Sequence, residues 1–226
     1  MTVVDRINNV AERISWAAAR AGRRLEDIKL VAITKTVDVK RIEEAVKAGV
    51  RIFGENYVQE SRQKIAAIGH GVEWHMTGHL QKNKVKEAVT LFDMVQTIDS
   101  VELAREIDRR AKTSGRIVKG LIEVNLGGEN SKTGVHKEDL ISLLTEIKDL
   151  NNLSIQGLMS IPPYFNDAEE VRPYFRTLRE LRDKVNKEGL SLCELSMGMS
   201  HDFEVAVEEG ATMVRIGTAI FGERTW

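Results

Sequence analysis

Residues 30–56, LVAITKTVDVKRIEEAVKAGVRIFGEN, decide the fold. Leu30 to Lys35 is apolar and β-rich, Val39 to Ala48 is charged with helical periodicity, and Arg51 to Asn56 is β-rich again. Working outward, the same unit recurs. Further strands are predicted at Val72 to Gly78, Met94 to Asp99, Gly120 to Leu126, Ile155 to Ile161, Leu192 to Gly198 and Met213 to Phe221, which makes eight. Helical stretches over Val101 to Lys112, Lys137 to Leu150, Val171 to Glu188 and Phe203 to Glu209 lie between them, and Val3 to Ala21 predicts an additional amphipathic helix at the start. Alternation of this kind implies parallel strands joined by crossover helices. Eight such units in a chain of 226 residues fit an α/β single (β/α)8 TIM-type barrel over residues 1–226 better than an open doubly wound sheet, the runner-up.

Composition narrows the function classes. Apolar residues make up 42% and charged residues 30%, so a sizeable core is expected under a solvated surface. Lys+Arg 33 against Asp+Glu 34 leaves a formal charge of -1, which argues against nucleic-acid or membrane-surface partners. One cysteine, Cys193, excludes an internal disulfide and a multi-cysteine metal site, and the histidines show no ligand spacing with carboxylates, so no metal is expected. With no membrane span and no signal peptide legible, the expected location is cytoplasmic.

Side chains alternate faces along a strand, so in a barrel one set fills the interior. The inward set reads as Val31, Ile33 and Lys35; Ile52, Gly54 and Asn56; His75 and Thr77; Leu121, Glu123 and Asn125; Gln156 and Ser160; Glu194 and Ser196; and Met213, Arg215 and Gly217. Polarity therefore gathers near the strands' C-terminal ends, where barrels place ligand sites. Burying Lys35, Glu123, Glu194 and Arg215 without partners or a ligand would cost several kcal/mol each.

The small-residue turns Leu195 to Ser200 and Arg215 to Ala219 close strands seven and eight, the place where barrels often hold phosphate. Lys35 ends strand one on the inward face. A lysine there is either a rim lysine with its ammonium in water or a Schiff-base nucleophile whose lone pair is freed by desolvation and a nearby cation. An imine-forming lysine facing an anion site suggests a phosphorylated aldehyde. Pyridoxal 5′-phosphate leads, and a phosphosugar aldolase would use the same two elements.

At this point the chain resembles a known family, the pyridoxal phosphate homeostasis proteins, single-domain relatives of the alanine racemase N-terminal barrel. The resemblance is carried by Val31 to Lys35, Phe53 to Glu60, Trp74 to Lys84, the Leu195 to Ser200 turn and Val214 to Gly222. It implies that Lys35 carries the cofactor as a Schiff base, that Ser196, Ser200, Gly217 and Thr218 surround its phosphate, that Arg215 approaches the pyridine nitrogen, and that Asn56 and His75 line the site. Glu194 is expected to pair with Arg215 and hold it.

Two functions follow from the resemblance. The leading expectation is a carrier or buffer in vitamin B6 and amino-acid homeostasis rather than an enzyme, loading pyridoxal 5′-phosphate reversibly and handing it to apoenzymes, as a monomer with a dimer as the alternative. The competing one is a small pyridoxal-dependent amino-acid racemase. Alanine racemases draw a second acid/base group from a further domain that these 226 residues do not contain, which favours the first. The stretch Ile161 to Asp167 is read as a packed surface loop, with a lid over the mouth as the other reading.

Overall fold

The computed structural model describes residues 1–69, 71–127 and 133–223. Its strands are β1 (Lys29–Ile33), β2 (Ile52–Glu55), β3 (Glu73–Met76), β4 (Met94–Ile98), β5 (Val118–Asn125), β6 (Leu153–Met159), β7 (Glu194–Ser196) and β8 (Met213–Ile216). Each pairs in parallel with its neighbours, and β8 returns to β1, so the sheet closes into a barrel. A two-residue strand, Val135–His136, extends the edge of β5.

Helices α1 (Val3–Arg20), α2 (Val39–Lys47), α3 (Val58–Ile68), α4 (Val85–Leu91), α5 (Val101–Thr113), α6 (Leu140–Ile147), α7 (Arg172–Lys187), α8 (Phe203–Glu208) and α9 (Thr218–Phe221) surround it. The additional helix α1 starts at a capping box in which Thr2 and Asp5 bond each other's backbone, and it buries Val3, Ile7, Val10, Ile14, Ala17 and Ala18. Its polar face is tied to α8 by Arg13–Glu204 (3.1 Å) and Arg20–Glu208 (2.7 Å). No helix among the described residues is long and apolar enough to cross a membrane.

Two cores result from the period-two alternation of the strands. The larger lies between sheet and helices, while Val31, Met94, Leu121, Met159 and Met213 fill the barrel, flanked by Ile33 and Ile52. Met159 corrects one expectation. Between the pairs Gly120 to Ile155 and Leu121 to Gly157, β6 carries one extra residue, a β-bulge. The bulge reverses the parity of the strand, so Met159 enters the inner cluster and Ser160 no longer shares a face with Gln156. Strand eight is also shorter than expected: it ends at Ile216, and the chain turns into α9 at Thr218.

The second correction concerns Glu194. As the first residue of β7 it lies at the N-terminal end of the barrel, where it pairs with Lys29 (2.5 Å) and accepts from the Thr212 hydroxyl (2.6 Å). Lys119 and Glu73 approach to 3.9 Å at the same end. These opposite charges close the barrel floor, so Glu194 is at the wrong end to hold Arg215.

Candidate cofactor site at the barrel mouth

Each site residue stands where a strand stops. Lys35 follows β1, Asn56 follows β2, Arg215 is the penultimate residue of β8, Ser200 lies in the turn after β7, and Gly217 and Thr218 cap and begin α9. Together Lys35, Asn56, Ser200, Arg215, Gly217 and Thr218 line one cavity of about 260 Å³ at the C-terminal mouth. Ser200 joins the two turns, its Oγ accepting from the Ala219 N–H at 3.2 Å. Asn56 is held by the Thr77 hydroxyl, which donates to its Oδ1 at 3.2 Å. Gly78 permits that arrangement, because a Cβ there would meet the Asn56 carbonyl oxygen at 2.5 Å.

Arg215 is buried at 4% exposure, which pushes its guanidinium down to about 10 against the pull of Glu123 and Asp202, so it remains cationic at neutral pH. Two of its N–H groups are committed: Nη1 donates to Ser196 Oγ (2.7 Å) and Nη2 to the Ser160 carbonyl (2.9 Å). Its neighbour Glu123 accepts from the Thr133 hydroxyl at 2.8 Å, and burial pushes that carboxyl up.

Two expected site residues, Ser196 and His75, lie below the cavity instead of lining it. Both are fully buried in a chain that runs down the barrel interior. Ser196 Oγ, having accepted from Arg215, donates to Gln96 Oε1 at 2.7 Å; Gln96 Nε2 meets His75 Nδ1 at 2.8 Å; His75 Nε2 faces Glu73 Oε2 at 3.4 Å. An amide nitrogen only donates, so Nδ1 accepts and the ring hydrogen sits on Nε2. Gln96 was missed by the sequence reading, although it is a polar residue at the centre of a strand whose five residues are all buried.

Further residues line the cavity from the loops. Ile161 and Tyr164 come from the connection after β6, and Met199 and His201 from the turn after β7. Tyr164, 74% exposed, lies against His201 with ring centroids 5.3 Å apart, and His201 Nε2 bonds the Asn166 carbonyl at 3.2 Å. The 161–167 connection therefore forms one wall of the mouth.

Chemically, the cavity combines an amine, a buried cation and hydroxyls on two small-residue turns, a donor set suited to an anionic carbonyl compound. Comparison with known proteins identifies the family. The family model of the alanine racemase N-terminal domain matches residues 6–225. The pyridoxal phosphate homeostasis protein of Aquifex aeolicus is 47% identical over 228 residues, covering 100% of both chains, and that of Vibrio cholerae is 39% identical over 230 residues, covering 100% of this chain and 98% of its own. Among solved structures, PipY of Synechococcus elongatus PCC7942 with PLP bound superposes with a TM-score of 0.83 at 38% identity, covering 94% of this chain and 100% of that one. By fold and full-length similarity, the chain belongs to the pyridoxal phosphate homeostasis protein family, built on the barrel of the alanine racemase N-terminal domain.

Proposed function

We propose that this protein binds pyridoxal 5′-phosphate covalently at Lys35 and serves intracellular vitamin B6 and amino-acid homeostasis, releasing the cofactor to apoenzymes in the cytoplasm. The observation that carries this reading is the meeting of Lys35, Arg215 and the two small-residue turns in one cavity of about 260 Å³. Lys35 would hold the cofactor through its amine, and a bound pyridoxal 5′-phosphate would supply the aldehyde with which that amine condenses, with loss of one water. The other residues bind and orient. Ser200, Gly217 and Thr218 supply hydroxyls and uncrowded backbone for the phosphate. Arg215, pinned by Ser196 and the Ser160 carbonyl, presents a cation that favours an unprotonated pyridine nitrogen and so weakens the ring as an electron sink. That suits storage and release better than amino-acid turnover.

The test is a visible spectrum of the purified protein with pyridoxal 5′-phosphate, followed by borohydride reduction and peptide mapping. Absorbance and a reduced adduct on Lys35 are expected, both lost in Lys35→Ala with folding retained, because the half-buried lysine stem contributes modest packing. An adduct that persists in Lys35→Ala, or a variant that unfolds, refutes the assignment. Exchange of an amino acid's α-proton in heavy water, abolished by Lys35→Ala, would establish a racemase instead.

A further inference from the structure

Of the stretch Phe53 to Glu60, Asn56 alone lines the mouth cavity; Glu55, Glu60 and the nearby Lys64 point to a different task. Glu60 and Lys64 are four residues apart on α3 and therefore share a face. Lys64 is 6% exposed, and its ammonium donates to three acceptors: the Thr34 carbonyl at 2.5 Å, Glu55 Oε1 at 2.8 Å and Glu60 Oε1 at 2.6 Å. That matches the three donors of an ammonium group. Glu60 Oε1 also accepts from the Thr36 N–H at 2.6 Å, and the Thr34 hydroxyl donates to Glu55 Oε1 at 2.6 Å.

Lys35 lies between the two residues so held. The peptide before it is fixed through the Thr34 carbonyl, and the peptide after it through the Thr36 N–H. Because peptide units are planar, a residue's φ and ψ are the rotations of its two flanking planes. Clamping both planes fixes the direction in which the Lys35 side chain leaves the backbone. The clamp also works against resistance. Thr36 has φ 61°, a left-handed conformation that is unfavourable for a β-branched residue and persists only where the surroundings enforce it.

We propose that Lys64 and Glu60 are positioning residues that clamp the backbone on both sides of Lys35, so that its amine meets the aldehyde of a bound pyridoxal phosphate. The inference rests on the functional reading above. In the step it serves, the amine nitrogen bonds the aldehyde carbon, the C=O bond breaks, and the two amine hydrogens leave with the oxygen as water.

The experiment compares Glu60→Ala and Glu60→Gln with the parent. Glu60 is 29% exposed at its side chain and Lys64 keeps Glu55 as a partner, so truncation strands no buried charge. Four quantities are read: thermal midpoint, hydrogen exchange at the Thr36 amide without cofactor, the rate of borohydride-trapped attachment to Lys35, and affinity for pyridoxine 5′-phosphate, an alcohol without the aldehyde. In Glu60→Ala the Thr36 amide should exchange faster and attachment should slow by at least about tenfold, within what a 1 Å misplacement costs. Pyridoxine 5′-phosphate should bind as in the parent, and Glu60→Gln, which keeps an oxygen acceptor, should recover most of the rate.

Unchanged attachment despite a released Thr36 amide overturns the inference, as does an unchanged Thr36 amide. Loss of pyridoxine phosphate affinity in step with attachment also overturns it, because the defect would then be collapse of the cavity. A parent protein that never acquires an adduct on Lys35 overturns the functional reading and this inference with it, and is told apart because it fails before any variant is compared.

Discussion

Gln96→Leu tests the hydrogen-bonded chain beneath the site. Gln96 is fully buried, accepts from the Ser196 hydroxyl at 2.7 Å and bonds His75 Nδ1 at 2.8 Å. Leucine fills a similar volume but leaves both partners unsatisfied in a buried interior. Each stranded group costs about 1–3 kcal/mol, so the loss is about 2–6 kcal/mol before the gain from added apolar surface. Allowing about 1 kcal/mol for that gain leaves a net destabilisation of about 1–5 kcal/mol. For a chain of this length each kcal/mol moves the thermal midpoint by about 2–4 °C, which puts the expected drop at about 2–20 °C. Urea denaturation gives the free energy directly. A cycle with Ser196→Ala adds a sharper check: residues in one network should be non-additive by about 0.5–3 kcal/mol. A Gln96→Leu cost below about 1 kcal/mol, or strict additivity with Ser196→Ala, would refute the chain as a coupled unit.

Two further predictions concern the scaffold. In Gly157→Ala the new Cβ would lie 1.9 Å from the Glu194 carbonyl oxygen, a backbone atom that cannot turn away, so a loss above about 3 kcal/mol or failure to fold is expected in urea titration and soluble yield. The Glu106 carboxyl is held down at about 2 by hydrogen bonds from Arg109 and Arg110. A depressed carboxylate contributes stability above its ordinary value and loses it as pH falls from about 4.5 toward 2. The gap in urea midpoint between the parent and an Arg109→Ala/Arg110→Ala variant should therefore narrow from neutral pH to about pH 2; a constant gap contradicts the pairing.

The alternation of strands and helices was legible because it rests on short-range periodicity, and period-two parity placed Lys35, Asn56 and Arg215 at one mouth. Parity failed where a non-local feature intervened. The extra residue in β6 moves Ser160 off the inner face and Met159 onto it, and a bulge is a property of two strands in register rather than of one. Glu194 has the inward parity that was read, but its height along the barrel, next to Lys29, depends on how far β7 is staggered against β1 and β8.

By itself the sequence determined the local periods, the number of units, the absence of a disulfide and the residue types gathered at the strand ends. Only the tertiary structure decided which polar residues meet. It took His75 and Ser196 out of the cavity wall and joined them through Gln96, and it brought Lys64 and Glu60 to the backbone on either side of Lys35. The physical reason is that burial and hydrogen bonding depend on distance in space. Residues 30 apart in sequence, such as Thr34 and Lys64, become neighbours only once the barrel closes.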